Sequence, residues 1–300
     1  MVVDRLNFPT HPINGCQLVC AVCLVLIAGP IIQSTVEQIQ HFLRTVGAHS
    51  LNSDLRHRTI LVTGSAQGLG LGIAKSLAGA GARIALVDCN PTVADQIADP
   101  IFADSAIALV QDLAAPHAAE ELMYSALDKL GHLDGLVNCA AWSFHKPLVE
   151  TTIAEFDRVI AVNQRAPYFL VQEFAKALKE DAPDPCVVNI ASVNAVIGNK
   201  NLTAYASTKG ALVAMGRAMA VEFAPRIRVV TISPGAVLTK YTENLIAKGE
   251  IDVERLLDRL LLKRFTTVDE IADLVVFLFG PSAQSITGSN WIIDGGVTAQ

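Results

Sequence analysis

Charged side chains are scarce in this 300-residue chain. Lys, Arg, Asp and Glu make up 17% of the residues, whereas hydrophobic residues make up 51%. This ratio excludes a disordered protein, because a chain with so many hydrophobic residues can bury enough apolar surface to offset the entropy that folding costs. The formal net charge is −6, and Lys and Arg form no cluster. Nucleic acid is therefore not an expected partner, since its phosphates select a basic surface.

Cysteine is also sparse, and its placement argues against a metal site. The six cysteines stand at positions 16, 20, 23, 89, 139 and 186. The first three lie close together, but without histidine or carboxylate company at the spacing that zinc ligands need. Scattered thiols are typical of a reducing compartment, so the sequence predicts a cytoplasmic protein without a bound metal.

No apolar run has the length of a typical membrane span. Residues 18–32 form the main run, which as a helix covers about 22 Å of the roughly 30 Å hydrocarbon core, and a glycine–proline pair would interrupt it. A cleaved signal peptide fits poorly, because only Arg5, set against Asp4, precedes the run. We interpret residues 1–55 as an N-terminal extension that packs on the body, on a partner subunit or on neither, with membrane association as the alternative.

From residue 56 onward, short β-branched segments alternate with longer helical segments. The predicted strands are 59–63, 83–87, 106–110, 135–138, 186–190, 228–233 and 290–294, and the predicted helices are 68–80, 117–130, 152–162, 164–180, 204–224 and 268–280. The strands are almost wholly apolar, as parallel strands covered on both faces must be. This α/β alternation predicts a single catalytic domain over residues 56–300, a doubly wound parallel β-sheet of the Rossmann type that binds ligands at the carboxyl ends of its strands.

A glycine-rich turn directly follows the first predicted strand and leads into a helix. Its glycines allow a tight turn and let backbone N–H groups approach a pyrophosphate, which also gains from the positive N-terminus of the helix. An ordinary strand–helix connection is the alternative, but the flanking strand and helix favour a dinucleotide site. The expected cofactor-binding residues here are Gly64, Ser65, Gln67, Gly68, Leu69 and Gly70.

Asp88 ends the second predicted strand, eighteen residues after Gly70. A carboxylate at this position accepts hydrogen bonds from both ribose hydroxyls of NAD and repels the 2′-phosphate of NADP. Neither Gln67 nor Cys89 supplies the positive charge that a 2′-phosphate would need. We therefore expect NAD as the cofactor rather than NADP.

Further motifs follow in an order that is typical of one protein family. They are Asn138-Cys139-Ala140-Ala141, Asn163, Ser192 thirteen residues before Tyr205, the Tyr205-Ala-Ser-Thr-Lys209 run, Pro234-Gly235 with Thr239, and Asp294-Gly295-Gly296. With the TGxxxGxG turn, these residues resemble the short-chain dehydrogenase/reductase family over about residues 56–300. The resemblance implies an NAD-dependent oxidoreductase that acts on a CH–OH group, with a small-molecule carbonyl or alcohol substrate, and a homodimer or homotetramer.

The resemblance also implies a role for each matching residue. Asn163, Ser192, Tyr205 and Lys209 would be catalytic, with Asn163 binding a water that links Lys209 to solvent. Asp112 would lie beside the adenine ring, and Lys209 would also hold the nicotinamide ribose. The other residues expected at the cofactor are Leu113, Asn138, Ala140, Tyr205, Pro234, Gly235, Val237 and Thr239.

The chemistry of carbonyl reduction requires a proton donor and a group that stabilises negative charge on oxygen. Tyr205 and Lys209 stand four residues apart, hence on one face of a helix. A neighbouring ammonium favours the phenolate, so we expect Lys209 to lower the pKa of Tyr205 from its usual value near 10. Ser192 is expected to hydrogen-bond the substrate oxygen. The alternative is a nucleotide-binding scaffold or sensor that has this fold without turnover.

Two departures from the family pattern follow the fourth strand, where Cys139 and Ala141 replace an asparagine and a glycine. Alanine is strained at a positive φ that glycine adopts freely, so we expect a slight rearrangement of this loop. The substrate stays open among a sugar or polyol, a hydroxysteroid-like ring, a 3-oxoacyl thioester and a small cyclic alcohol. Residues 241–264 are expected to form a lid, with core or subunit contacts as the alternative for their leucines. The expected pocket rim is Trp142, Phe144, His145, Val193 and Asn194.

Overall fold

The computed structural model describes residues 54–103, 105–180, 182–249 and 252–300. The chain divides into the units Met1–Leu51 and Asn52–Gln300, and all of the described residues belong to the second. The apolar run 18–32 lies outside them. No helix within the described ranges is long and apolar enough to cross a membrane.

Seven strands form one parallel sheet in the part of the chain that the structure describes. The strands are β1 (Thr59–Thr63), β2 (Arg83–Asp88), β3 (Ala106–Val110), β4 (Gly135–Asn138), β5 (Cys186–Ile190), β6 (Arg228–Pro234) and β7 (Asn290–Ile293). Their order across the sheet is β3-β2-β1-β4-β5-β6-β7. Each strand lies within one residue of its predicted bounds, and the predicted doubly wound α/β sheet is confirmed.

The strands are apolar because helices cover both faces of the sheet. Alternate residues point to opposite sides, so Ile60 and Val62 pack in one buried cluster and Leu61 packs in the other. Helices α1 and α8 cover the first face, and helices α2, α4 and α5 cover the second. The helices are α1 (Gly68–Gly79), α2 (Ala118–Leu130), α3 (Ile153–Ile160), α4 (Ala166–Ala177), α5 (Thr203–Phe223), α6 (Lys240–Ala247), α7 (Val253–Asp258) and α8 (Val268–Phe279).

Two features of the helices differ from the prediction. The predicted helices 152–162 and 164–180 are joined by a turn of π-helix, Ala161–Arg165, between α3 and α4. The expected lid contains two short helices, α6 and α7, which the prediction had not assigned. Among the lid leucines, Leu260 is fully buried while Leu261 and Leu262 are more than half exposed.

The strand order fixes where a ligand can bind. The chain winds outward from β1 to β2 and β3, then returns to the other side of β1 as β4 and continues to β7. Because the direction of winding reverses between β1 and β4, a crevice opens there at the carboxyl ends of the strands. The glycine-rich turn after β1 and the loop after β4 border this crevice.

Candidate active site

A cleft of about 410 Å³ opens at the carboxyl ends of β1 to β4. Most of the expected cofactor residues line it: Gly64, Gln67, Gly68, Leu69, Gly70, Asp88, Asp112, Leu113, Ala140 and Thr239. Trp142, expected at the rim, lines it as well. Gln111, Arg158 and Lys240 also line the cleft, and no motif in the sequence pointed to them.

The glycines of the turn after β1 are required by close approaches of the backbone. Gly64 has a φ of +73°, and a Cβ there would lie 2.7 Å from the Ala140 Cα in the loop after β4. A Cβ on Gly70 would lie 2.1 Å from the Gly64 carbonyl oxygen. Gly68 has a φ of +59°, and its own Cβ position would be 4.0 Å from Thr239 across the cleft. Side chains at these positions would fill the cradle or distort it.

The N-terminus of α1 is left free to bind an anion. No side chain caps it, and its first turn contains no acidic residue. Its backbone N–H groups and the positive end of the helix dipole therefore face the cleft without an internal partner of opposite charge. This cradle of glycines and N–H groups fits a dinucleotide pyrophosphate.

Two carboxylates line the cleft beyond this turn. Asp88 is held by backbone N–H groups, from Ala66 at 3.0 Å and from Asn90 at 2.9 Å. Asp112 accepts from the N–H of Ala114 at 2.9 Å and lies 3.5 Å from Arg158. Both side chains are fixed in place by backbone donors while still lining the cleft.

Two expected cofactor residues turn their side chains away from the cleft. Ser65 is fully buried, and its Oγ accepts from the N–H of Val87 at 2.7 Å and donates to the Val87 carbonyl at 3.2 Å. Asn138 is buried on β4 and donates from Nδ2 to Asn189 Oδ1 on β5 at 2.8 Å. These side chains tie neighbouring strands together, and the contact of Ser65 and Asn138 with a cofactor stays a prediction.

The loop after β4 is anchored from two sides. Thr63 Oγ1 accepts the N–H groups of Cys139 and Ala140, each at 3.1 Å. Asn163 Oδ1 accepts the N–H of Trp142 at 2.8 Å, and Asn163 Nδ2 donates to the Trp142 carbonyl at 2.9 Å. Among the described residues, the non-glycine residues with positive φ do not include Ala141. The expected strain at Ala141 is therefore absent.

Asn163 lies in the π-helical turn between α3 and α4 and is 1% exposed. Its Nδ2 also lies 3.2 Å from Thr208 Oγ1 on α5. Its side chain is thus engaged with Trp142 and Thr208. The residue four positions later is Pro167, which has no N–H to donate to the Asn163 carbonyl as an α-helix would require.

The remaining three expected catalytic residues meet beside the carboxyl end of β5. Ser192 follows β5 by two residues, and Tyr205 and Lys209 stand one turn apart in the first half of α5. The Ser192 hydroxyl lies close enough to Tyr205 to lower the pKa of the tyrosine. Lys209 is 2% exposed and donates from Nζ to the Ile190 carbonyl at 2.7 Å. The end of β5 therefore fixes both the hydroxyl and the ammonium.

Burial controls the protonation of this group. Loss of hydration raises the pKa of Tyr205 to about 12, against a smaller lowering by its hydrogen bond to Ser192. Burial lowers the pKa of Lys209 to about 8. The direction for Tyr205 is opposite to the one expected from a neighbouring ammonium, because burial destabilises the phenolate more than nearby groups stabilise it. At neutral pH, Tyr205 is protonated and Lys209 is still largely charged.

The turn after β6 closes the far side of the cleft. A Cβ on Gly235 would lie 2.7 Å from the Asp294 Cα, so a glycine lets the turn approach the segment after β7. Val237 pairs with Thr266 in an isolated parallel bridge. Thr239 caps α6 by accepting the N–H of Thr242 at 3.2 Å. The cap holds Thr239 and Lys240 at the edge of the cleft, while Pro234, Gly235 and Val237 shape the turn behind them.

Residues 64–298 match the family described as enoyl-(acyl carrier protein) reductase. L-xylulose reductase from Bos taurus is 34% identical over 246 residues, covering 82% of this chain and 98% of that protein. Carbonyl reductase (NADPH) 2 from Sus scrofa is 31% identical over 240 residues, covering 80% of this chain and 96% of that protein. The solved structure of 4-hydroxyisoleucine dehydrogenase complexed with NADH has a TM-score of 0.74 at 29% identity, covering 81% of this chain and 99% of that one.

Proposed function

Since this chain belongs to the short-chain dehydrogenase/reductase family, we propose that Tyr205 is the general acid and base for hydride transfer between NAD(H) and a ketone or secondary alcohol. The chain is an oxidoreductase: its named relatives are dehydrogenases and reductases, which speaks against the alternative of a silent scaffold. The observation that carries the proposal is the meeting of Ser192, Tyr205 and Lys209 beside the carboxyl end of β5.

The protonation states determine whether each residue donates or accepts a proton in the reaction. With its pKa near 12, Tyr205 holds a proton at neutral pH and can donate it to the oxygen of a ketone. Ser192 donates a hydrogen bond to the same oxygen and stabilises the negative charge that develops there. In the reverse reaction, Tyr205 first releases its proton towards Lys209 and the water bound there, and the phenolate then takes the proton of the alcohol. A bound nicotinamide dinucleotide supplies the hydride for reduction and accepts it in oxidation.

Lys209 and Asn163 support this proton transfer through hydrogen bonds to the cofactor and to a water. The Nζ of Lys209 donates one hydrogen bond to the Ile190 carbonyl and has two further N–H groups. We assign these two donors to the nicotinamide ribose and to a water. We assign that water to the backbone carbonyl of Asn163, because Pro167 cannot donate to it. The Asn163 side chain, in contrast, holds Trp142. The relay expected from the family resemblance is thus carried by the main chain of Asn163.

The cofactor is a nicotinamide dinucleotide, and we propose that it is NAD. Relatives carry either NADH or NADPH in their names, so the choice depends on this chain's own residues. Asp88 lies at the end of β2 with its carboxylate held by two N–H groups. A fixed negative charge there favours ribose hydroxyls over a 2′-phosphate. Asp112, Gly64 to Gly70 and Thr239 complete the proposed cofactor site.

We also propose that the chain is a homodimer or homotetramer. Exposed apolar side chains support this: Tyr168 and Phe169 on α4 are 47% and 42% exposed, and Val221 on α5 is 82% exposed. Such side chains are common where subunits meet. The free thiols of Cys89, Cys139 and Cys186 are in keeping with a reducing, cytoplasmic location.

The proposed function is tested with purified protein and a panel of ketones and secondary alcohols. Oxidation of NADH by ketones and reduction of NAD by alcohols are followed at about 340 nm, the band of reduced nicotinamide. A fluorescence titration measures NADH binding in the same samples. Turnover of at least one ketone–alcohol pair in both directions supports the proposal. Tight NADH binding with no turnover of any pair would favour the scaffold instead.

A further inference from the structure

A chain of side-chain hydrogen bonds connects Ser192 to the segment 241–264. Ser192 Oγ accepts from Asn194 twice, from the backbone N–H at 3.2 Å and from Nδ2 at 3.1 Å. Asn194 Oδ1 accepts from Asn199 Nδ2 at 2.7 Å. Asn199 Oδ1 accepts from Arg259 Nη1 at 3.2 Å. Two asparagine side chains thus link the serine to Arg259, the residue that follows helix α7.

Every side-chain hydrogen bond in this series is donated in the same direction, from Arg259 towards Ser192. A guanidinium can only donate, so the amide oxygen of Asn199 must face Arg259 and its NH₂ group must face Asn194. The same logic turns the NH₂ group of Asn194 towards Ser192. The orientation of each amide is therefore dictated by its neighbour, beginning at Arg259.

This arrangement decides what the Ser192 hydroxyl can do. A hydroxyl has two acceptor positions and a single proton, and both acceptor positions of Ser192 are used by Asn194. The proton is left to donate away from Asn194. A substrate oxygen that lies between Ser192 and Tyr205 needs this hydrogen bond.

We propose that Asn194 is a positioning residue that holds Ser192 as a hydrogen-bond donor to the substrate oxygen, and that Asn199 and Arg259 hold the Asn194 amide. The inference rests on the proposed function, because it assigns a substrate oxygen to Ser192. Asn194 acts through Ser192 and does not take part in proton transfer. Its loss therefore weakens stabilisation of the charge on oxygen while cofactor binding stays intact.

The decisive variant is Asn194→Asp, which keeps the shape of the side chain but replaces the donor with a carboxylate oxygen. The Ser192 proton then turns to the carboxylate and leaves the substrate. We expect kcat for ketone reduction at pH 7.5 to fall about 10- to 100-fold, below the roughly 100- to 1,000-fold typical of losing a direct oxyanion donor. In Asn194→Ala we expect a smaller decrease in kcat, because the backbone N–H of residue 194 still donates to Ser192.

The pH profile separates positioning from damage to the fold. Protonation of the introduced carboxylate, near its usual pKa of about 4, restores a donor, so the ratio of variant to wild-type kcat rises as the pH falls towards 5. Tyr205 and Lys209 titrate in both proteins and cancel in this ratio. Gln284→Glu makes the same amide-to-acid change at an exposed site and should leave kcat unchanged. A ratio that is low and flat with pH would overturn the proposal.

Asn199→Ala provides a test that does not disturb Ser192 directly. In the wild-type background it frees the Asn194 amide and is expected to lower kcat several-fold. In the Asn194→Ala background it should have no further effect, because coupled residues are non-additive. Additive effects, or wild-type kcat in Asn194→Asp while Tyr205→Phe is inactive, would overturn this inference and leave the proposed function standing. Absence of turnover in the wild type itself would remove the proposed function, and the inference with it.

Discussion

The Nζ of Lys209 lies 5.5 Å from the centre of the Tyr205 ring, one turn further along the same helix. The ammonium is buried and donates to the Ile190 carbonyl, while Ser192 lies close enough to Tyr205 to lower the pKa of the tyrosine. A single helical turn therefore holds the proton donor and the charge that supports it. Because Lys209 is the group of this pair that titrates near neutral pH, it should set the alkaline limit of the reaction.

Ketone reduction should decline above about pH 8. The pKa of Lys209 is lowered by burial to about 8, so its charge is present below this pH and is lost above it, whereas the pKa of Tyr205 near 12 keeps the tyrosine protonated throughout. A plot of log kcat/KM against pH should fall with a slope of −1 above about pH 8. A flat profile up to pH 10 would contradict the assignment to Lys209.

The sheet and the positions of the motifs could be predicted from the sequence because both depend on local patterns. A buried parallel strand requires an apolar run, and glycine is required at 64 and 70 by close approaches of the backbone and at 68 by a positive φ. These signals are present in a few consecutive residues. The strand bounds and the glycine cradle were therefore predicted closely.

The contacts that the sequence does not reveal share a different physical origin. The side chains of Ser65, Asn138 and Asn163 are hydrogen-bonded to partners far away in sequence, and these partners depend on strand register and on a π-helical turn. The raised pKa of Tyr205 reflects burial, which is a property of the packed structure. Asn194 was expected only at the pocket rim, because its link to Asn199 and Arg259 depends on loop conformations that no periodic pattern encodes.

Gly64→Ala should destabilise the protein and abolish cofactor binding. The left-handed backbone costs a non-glycine residue about 1–2 kcal/mol, and the clash with the Ala140 Cα at 2.7 Å adds about 1–3 kcal/mol of overpacking. Gly131→Ala is the matched control, because Gly131 has a φ of +81° but nothing lies within 4 Å of its Cβ position. Urea unfolding and NADH titration compare the two. Equal losses of stability and normal NADH binding in both variants would contradict the requirement for glycine at position 64 in the cofactor cradle.

Asp88→Asn should weaken the preference for NADH over NADPH. Removing the charge at the end of β2 removes the repulsion of a 2′-phosphate, and we expect the ratio of kcat/KM values to fall at least about tenfold, or about 1.4 kcal/mol. Asp95→Asn is the control, because Asp95 is exposed on the 3-10 helix Pro91–Ala98. A ratio in Asp88→Asn that matches the control would show that Asp88 does not select the cofactor.

Asn163→Ala should cost about 2–4 kcal/mol of unfolding free energy. The substitution removes a buried amide and leaves the N–H and the carbonyl of the partly buried Trp142 without the partners they have at 2.8 and 2.9 Å. A polar group left unpaired costs up to about 1–3 kcal/mol when it is fully buried, so we expect the lower part of that range for each of the two groups. Chemical denaturation with an unchanged m-value measures the loss. Asn244→Ala, at an exposed position, should change stability by less than about 0.5 kcal/mol. A similarly small change in Asn163→Ala would contradict the anchoring role.

Single-turnover measurements on the NADH-loaded enzyme test Tyr205 most directly, by comparing Tyr205→Phe with Tyr124→Phe. Tyr124 is 74% exposed on α2, so its variant controls for loss of a tyrosine hydroxyl. If Tyr205 is the acid, ketone-dependent NADH oxidation falls at least about 100-fold in Tyr205→Phe, with NADH affinity unchanged and Tyr124→Phe at the wild-type rate. A Tyr205→Phe rate equal to that of the wild type would mean that the proton comes from elsewhere, and the assignment of this site would be wrong.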